Sequence, residues 1–347
     1  MQHSCTTGTA LTQLALSSYW MGGRNHRPLD FFTAGTDLGF DCFELSGIHH
    51  DTFYDEIRPG DFCIISLHDP APPARGHARV GSKELRRADI VYTSLDDARR
   101  CQAIMLTKHS IDIAAQYGAQ VVVLHLGQTR PISDVEIQLK HLAVAGHIDN
   151  TEAITLRSQL ATERAYQHDE HMNALRRSLD ELVKYASAQH IRLGLENRPA
   201  HEIAGFVEMG EILSWYPDDT VGYWHDTGHA EVQAILGFTP HADWLLAYGH
   251  RIIGMHLHDA MGIENHQAPG QGSVDWTGLA SLVPANALRV MEVDRTVSAD
   301  ALRAGVGLLR ETGWLDRLVP IEPAREKDKR PSGLDKDGTT TSSGKKN

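Results

Sequence analysis

Short apolar runs alternate with longer helical stretches along this chain. Eight of the runs have strand length, and most are too uniformly apolar for strands with one wet face. They are LALSSYW from Leu14, FDCFELS from Phe40, FCIISLH from Phe62, QVVVLHLG from Gln120, IRLGLEN from Ile191, VGYWHD from Val221, IIGMHLHD from Ile252 and LRVMEVD from Leu288. Strands that alternate with helices indicate a parallel sheet in an α/β fold. The number eight favours a closed (β/α)8 TIM barrel.

The connections between the runs predict helices and two insertions. Helical patterns cover residues 99–118, 171–190 and 298–313, and Gly118 follows the first of them where helices often end. Two connections are longer than a minimal barrel needs: residues 70–99 after the third strand and residues 129–190 after the fourth. The second contains an extra helix near residues 133–146, followed by a long one. Insertions after barrel strands usually carry specificity.

Composition sets the boundaries of the folded part. The chain has 347 residues, of which 41% are apolar and 22% charged, as in soluble globular proteins. From Arg325 onward there are almost no apolar residues, so we predict one barrel domain over residues 1–322 and a disordered tail over 323–347. Without residues 325–347 the chain keeps 26 basic and 41 acidic side chains. This acidic balance argues against nucleic acid as a partner.

Targeting signals and cysteine motifs are weak in this sequence. No apolar run approaches the roughly 18 to 20 residues of a membrane span, and the first residues, MQHSCTTGTA, lack a basic stretch that leads into an apolar core. We therefore expect a cytoplasmic protein without membrane contact. The four cysteines are widely spaced, which predicts reduced thiols and no cysteine metal site.

The chemistry concentrates at the ends of the predicted strands. The chain has 21 histidines, more than its 8 phenylalanines and 9 tyrosines together. Six successive strands end on His, Asp or Glu; these ends carry His68, His125, Glu196, Asp226, His256 and Glu292. Strand ends of a parallel barrel meet at one face, and so many carboxylates and imidazoles would be poorly solvated there without a cation. Imidazole and carboxylate ligands indicate a divalent metal such as Mn, Zn, Co or Mg, with Fe also compatible.

Two further features lie near the same face. The loop from Glu264 to Trp276 contains glycines that permit a tight turn, which could bring Glu264 and His266 back over the barrel mouth. Asp275 in this loop is typical of a helix cap. Glu44, at the end of the second strand, could bind a substrate hydroxyl or form an internal ion pair.

Several motifs carry a family resemblance from about Leu14 to about Gly313. They are LENRP around Glu196, HDTGH around Asp226, GMHLHD around His256, H-x-x-x-G-x-G-x-V-D-W from His266, and MEVD around Glu292. Together they resemble the xylose isomerase-like TIM barrels, the group of sugar phosphate isomerases and epimerases that also includes the type-IV apurinic endonucleases.

The resemblance implies a central metal site and roles for its neighbours. Glu196, Asp226, His256 and Glu292 would hold a metal that binds adjacent oxygens of a ketose or hydroxyketone. Glu196 and Glu292 would then be the acid/base pair that moves a substrate proton. Other residues would contact the substrate: the catalytic His229, which binds or polarises an oxygen, Arg198, which suits a phosphate or carboxylate, and His258.

The endonuclease branch implies additional ligands. Its three-metal cluster would add His68 and His125, which share Glu196, and also His229, Glu264 and His266. The sequence departs from that branch by having Glu264 in place of Asp and His258 in place of Asn, and it lacks basic, aromatic-rich loops for a bent duplex.

These observations favour a divalent-metal-dependent isomerase or epimerase. Its substrate would be a small sugar, a sugar phosphate or a polyol-derived ketone, and a proton would be transferred through a metal-stabilised enediolate. The alternative is a metal-dependent phosphodiesterase of the type-IV apurinic endonuclease kind. A barrel kept only as a binding module is a third reading, against which the two flanking glutamates argue. Homo-oligomer formation stays open.

Overall fold

Eight parallel strands form a closed barrel in the computed structural model, which describes residues 14–21, 27–46, 53–71, 82–129, 133–199 and 202–315. The strands are β1 Leu14–Ser17, β2 Cys42–Leu45, β3 Cys63–His68, β4 Val121–Leu124, β5 Arg192–Glu196, β6 Val221–Asp226, β7 Ile252–Leu257, β8 Asp259–Met261, β9 Glu264–Gln267 and β10 Leu288–Met291. The barrel order is β1-β2-β3-β4-β5-β6-β7-β10, and β8 pairs with β9 as an antiparallel hairpin. The predicted (β/α)8 TIM barrel and its eight strands are confirmed.

Helices follow most of the barrel strands. They are α1 Pro28–Asp37, α2 Phe53–Glu56, α3 Ser82–Arg87, α4 Asp97–Tyr117, α5 Asp134–Val144, α6 Thr151–Ala165, α7 His168–Ala188, α8 Phe206–Ser214, α9 Thr227–Ile235, α10 His241–Tyr248, α11 Trp276–Leu279 and α12 Ala299–Glu311, with 3₁₀ turns at Ser18–Met21, Gly249–Arg251 and Ala280–Leu282. The Asp96 side chain caps α4, and Gly118 ends that helix in the left-handed conformation. Asp275 caps α11 as predicted. No helix in the described ranges is long and apolar enough to cross a bilayer.

The insertion after β4 is more helical than the sequence indicated. It contains the predicted extra helix, α5, and the predicted long helix, α7, and between them lies a further helix, α6, which was not predicted and is separated from α7 by a break. The break lies at Gln167, whose positive φ of 52° interrupts the helical path. In the insertion after β3, α3 and the start of α4 are described, and residues 72–81 lie outside the described residues. The predicted tail, 323–347, also lies outside them.

The interior of the barrel is filled below the site. An apolar cluster separate from the core under the helices contains Ala15, Cys42, Ile65, Val121, Val123, Trp224, Ile253, Leu288 and Val290. Trp224 fills its centre because Gly194 and Gly254 leave room for the indole. A Cβ atom on Gly254 would lie only 2.0 Å from Trp224 Cζ3. This packed layer supports the polar groups at the carboxyl ends of the strands.

Candidate active site

Four predicted ligands meet at the carboxyl end of the barrel. His256 Nδ1 lies 3.6 Å from Glu196 Oε1, 3.4 Å from Asp226 Oδ2 and 3.2 Å from Glu292 Oε2. One possible ligand atom from each residue lies within 4.8 Å of the others, and all four side chains are buried. Strands β5, β6 and β7 position three of them, and Glu292 follows β10 directly. The structure therefore assembles the group that the resemblance implied.

The contacts of the second ring nitrogen, His256 Nε2, fix the orientation of the imidazole. His256 Nε2 lies 3.1 and 3.2 Å from the two carboxylate oxygens of Glu44, so this nitrogen carries the hydrogen and donates it. Ser66 donates a second hydrogen bond to Glu44 over 2.8 Å. Glu44 is fully buried, and both of its carboxylate oxygens contact other side chains of the site. In the neutral imidazole, Nδ1 then presents a lone pair to the three site carboxylates.

This arrangement fits a divalent cation. His256 Nδ1 is buried and has no hydrogen-bonding partner within the described residues, although three carboxylates surround it. Burial lowers the pKa of His256, but the charges of Glu292 and Glu44 outweigh it and hold that pKa well above its ordinary value. Burial raises the pKa of Glu292. Both shifts agree with a site that favours positive charge. Its carboxylate oxygens and imidazole nitrogen are ligand atoms that suit Zn or Mn.

A second cluster shares Glu196. His68 Nε2 and His125 Nε2 lie 3.2 and 2.8 Å from the same oxygen, Glu196 Oε2. Arg198 enters this cluster as well, with Nη1 3.2 Å from Glu196 Oε1. Burial raises the pKa of Glu196, but the contact with His125 and the charge of Arg198 outweigh it, so that pKa lies well below its ordinary value. Glu196 is thus held as a carboxylate between two groups of nitrogen donors.

A third cluster contains His229, His258 and His266. The backbone N–H of His266 donates to His258 Nδ1 over 2.9 Å, so the ring hydrogen of neutral His258 lies on Nε2. That Nε2 lies 2.8 Å from Asp226 Oδ1. Both nitrogens of His258 are therefore used by neighbouring groups. The contacts make His258 an orienting group for Asp226.

The structure separates Glu264 from these clusters. Glu264 is exposed at the start of β9, whereas His266, two residues later, lies among the buried histidines. His229 lies at the start of α9, where its backbone N–H donates to Asp226 Oδ1 over 2.7 Å. Its Nδ1 is 3.0 Å from Glu196 Oε1, and its Nε2 is buried without a hydrogen-bonding partner in the part of the chain described. His229 thus offers a free ring nitrogen beside the candidate metal ligands.

Asn197 was not among the predicted site residues, yet it connects the ends of strands β5 and β6. Its Oδ1 accepts hydrogen bonds from the Asp226 backbone N–H over 2.8 Å and from the Tyr223 hydroxyl over 2.9 Å. Its Nδ2 donates to the Asp226 carbonyl over 3.0 Å. Asn197 therefore holds the end of β6 against the end of β5. Its place directly after Glu196 in the LENRP motif was the available signal.

Comparison with solved structures supports the same architecture. A structure described as a D-tagatose 3-epimerase-like protein superposes with a TM-score of 0.59 at 18% identity, and the match covers 86% of this chain and 96% of that one. The IOLI protein, solved with a zinc atom, superposes with a TM-score of 0.55 at 15% identity, covering 86% and 97%. At these identities the likeness establishes a shared fold.

Comparison with known sequences establishes the family. An uncharacterised protein of Sinorhizobium fredii, y4fM, is 24% identical over 200 residues, which are 57% of this chain. The match spans about half of that protein, 54% of its length. The sequence model of the xylose isomerase-like TIM barrels matches residues 32–311. The chain therefore belongs to the xylose isomerase-like TIM barrel family.

Proposed function

We propose that this protein is a divalent-metal-dependent isomerase or epimerase of a small sugar, a sugar phosphate or a polyol-derived ketone. The observation that carries the proposal is the convergence of three carboxylates on the buried His256 Nδ1 at the mouth of the barrel. Sugar epimerases recur among the solved structures that share this fold. A soluble carbohydrate is therefore the proposed substrate class.

Glu196, Glu292 and His229 have separate roles in the proposed proton transfer. A divalent cation held by these four residues would supply electrophilic stabilisation to a substrate carbonyl and make the neighbouring C–H more acidic. Strands β6 and β7 lie between β5 and β10, so Glu196 and Glu292 flank the Asp226–His256 pair. One glutamate removes the proton and the other returns it at a different face or carbon. The free Nε2 of His229 binds a substrate oxygen.

Solvent isotope exchange tests the acid/base pair. The metal-loaded protein is incubated in D₂O with free and phosphorylated ketoses, and deuterium next to the carbonyl is followed by NMR. Glu196→Gln and Glu292→Gln should each slow the exchange by about 10²- to 10⁴-fold. Lys108→Gln, which removes a surface ion pair with Glu181, serves as the control and should exchange normally. Normal exchange in both glutamine variants, with metal still bound, would make the proposed pair wrong.

One observation favours a second candidate function. The cluster of His68, His125 and Glu196 has the donor set that the endonuclease branch uses for an additional metal. A phosphodiesterase of that kind would cleave a duplex containing an abasic site. We expect no cleavage by the metal-loaded protein, and rapid cleavage that depends on His125 would replace the isomerase proposal.

A further inference from the structure

We propose that Cys42 and Cys63 form a reversible disulfide at the amino end of the barrel, opposite the candidate metal site. Cys42 begins β2 and Cys63 begins β3, and the two residues are direct partners in the register of these strands. Their Sγ atoms lie 2.8 Å apart. Both cysteines are free thiols in the structure, so the inference concerns what an oxidant does to them. It does not depend on the proposed metal-dependent function.

The geometry of the two strands permits a bond between these sulfurs. Neighbouring strands lie about 4.8 Å apart, which is within the range of Cα separations that disulfides span. Both side chains face the barrel interior, where Cys42 belongs to the apolar cluster and Cys63 packs against it. The two residues are 21 positions apart in the sequence, so the folded barrel is what brings their sulfurs together. Closing the bond therefore needs a small movement of two side chains.

The two thiols differ in exposure and in acidity. Cys42 is buried, whereas Cys63 is partly exposed. The hydrogen bond with Cys42 lowers the pKa of the Cys63 thiol, and the same hydrogen bond, together with burial, raises the pKa of Cys42. In this arrangement the S–H of Cys42 donates to the sulfur of Cys63. Because the thiolate is the species that attacks a disulfide, Cys63 is the residue that an external reagent meets first.

A small organic disulfide is the class of oxidant that this pair requires. The Cys63 thiolate attacks one sulfur of the reagent, the S–S bond of the reagent breaks, and one small thiol leaves with the proton that Cys63 has lost. Cys42 then gives its proton to the second leaving group and attacks Cys63 Sγ, which releases that group as a thiol. The two cysteine sulfurs are oxidised, and the reagent is reduced to two thiols. The negative charge of Asp41 acts on both cysteines, so a neutral reagent should react faster than an anionic one.

The proposed bond joins two strands that also carry residues of the site. The pairing of β2 with β3 shifts register between Phe43 and Glu44, immediately after the cysteine pair. Beyond the shift, Ser66 donates a hydrogen bond to Glu44, which contacts His256. A disulfide would hold the strands together next to this irregularity and would close a loop in the unfolded chain. We therefore expect the oxidised protein to unfold at a higher temperature than the reduced protein.

Mass spectrometry after alkylation tests the pair. The full chain with Cys5→Ser and Cys101→Ser, which keeps only Cys42 and Cys63, is treated with bis(hydroxyethyl) disulfide and then with iodoacetamide. We expect an intact mass lower by two hydrogen atoms, a cross-link between the two cysteine peptides, and two alkylated thiols after treatment with dithiothreitol. The cross-link should raise the Tm by about 5 °C. Adding Cys42→Ala should stop the reaction at a mixed disulfide on Cys63, because the second thiol is missing.

Three results would contradict the inference. They are two alkylated thiols after the oxidant, a mixed disulfide that persists on Cys63 while Cys42 is present, and an oxidised chain that melts no higher than the reduced one. Equal yields of the cross-link in buffer and in urea would also count against it, because the fold would then not be what pairs the sulfurs. Exposed Cys101 of the wild type shows that the reagent is active, since it should take up the reagent's thiol. Circular dichroism identifies a variant that fails to fold, and Cys42→Val then replaces Cys42→Ala.

Discussion

The interior of the barrel contains two layers that differ by only two positions along each strand. The lower layer contains Cys42, Val123, Gly194, Trp224, Gly254 and Val290, and the upper layer contains Glu44, His125, Glu196, Asp226, His256 and Glu292. Residues two apart on a strand point to the same side, so both layers face the barrel interior. The lower layer packs apolar atoms together, whereas the upper layer crowds ionisable groups.

This difference shows how one fold separates stability from chemistry. Trp224 packs against the space that two glycines leave, and its ring contacts that of His256 at a centroid distance of 5.3 Å. The lower layer therefore supports the candidate metal ligands from below and stabilises the barrel by burying apolar surface. The upper layer concentrates carboxylates and imidazoles in a buried space, where like charges repel one another. Crowding ionisable groups in the upper layer lowers the stability of the fold, and the apolar surface buried in the lower layer offsets that loss.

The largest expected effect comes from adding one methyl group to the lower layer. Gly254→Ala places a Cβ atom 2.0 Å from the Trp224 ring, so the indole or the strand must shift. We expect the free energy of unfolding to fall by about 3 kcal/mol, at the upper end for overpacking, as measured by urea denaturation. Gly307→Ala is the control, because a Cβ there meets no atom of the described residues within 4 Å beyond its own helical turn, and an alanine favours helix α12. Equal stability of the two variants would show that the lower layer is loosely packed.

A slightly smaller effect is expected when metal is removed from the upper layer. Zn²⁺ at 100 times its dissociation constant should raise the free energy of unfolding by about 2.7 kcal/mol, because only the folded chain presents the assembled site. Thermal unfolding with and without a chelator measures this difference. His256→Ala removes one ligand and should lose most of the stabilisation by Zn²⁺. Identical melting of the wild type with and without metal would contradict the idea that a cation relieves the upper layer.

The sequence predicted the elements of both layers because their signals are local. The eight apolar runs identified the strands, and the rule that parallel strand ends converge placed their polar ends at one face; the family resemblance implied the closer grouping of His68 and His125 with Glu196. The expectation for Glu264 was not met, because the β8–β9 hairpin leaves that side chain in solvent while His266 points inward. Sequence spacing shows that a turn is possible and does not show which side chain it turns toward the site.

The hydrogen bonds within the upper layer depend on geometry that no sequence pattern contains. The position of Arg198 close to Glu196 in the sequence predicts a substrate contact. Its contact with His125 depends on how two strands are placed and on the rotamer of the side chain. The orientation of His258 depends on a backbone N–H eight residues further along the chain. In both cases the residue type was informative, while its partner came from tertiary structure.

The smallest expected effect concerns the link between Glu44 and His256. Glu44→Gln keeps an acceptor oxygen for His256 Nε2 but removes the buried charge that turns the ring toward the metal ligands. Because such orienting carboxylates tune metal ligands, we expect Zn²⁺ affinity to fall by about 10- to 100-fold in competition with a chromophoric chelator, with little change in the fold. Ser66→Ala is the matched control, since it removes the other hydrogen bond to Glu44 and leaves the carboxylate in place. If Glu44→Gln binds Zn²⁺ as tightly as Ser66→Ala but weakens the apparent affinity for a sugar substrate, then Glu44 contacts substrate and the ion pair with His256 does not tune the metal site.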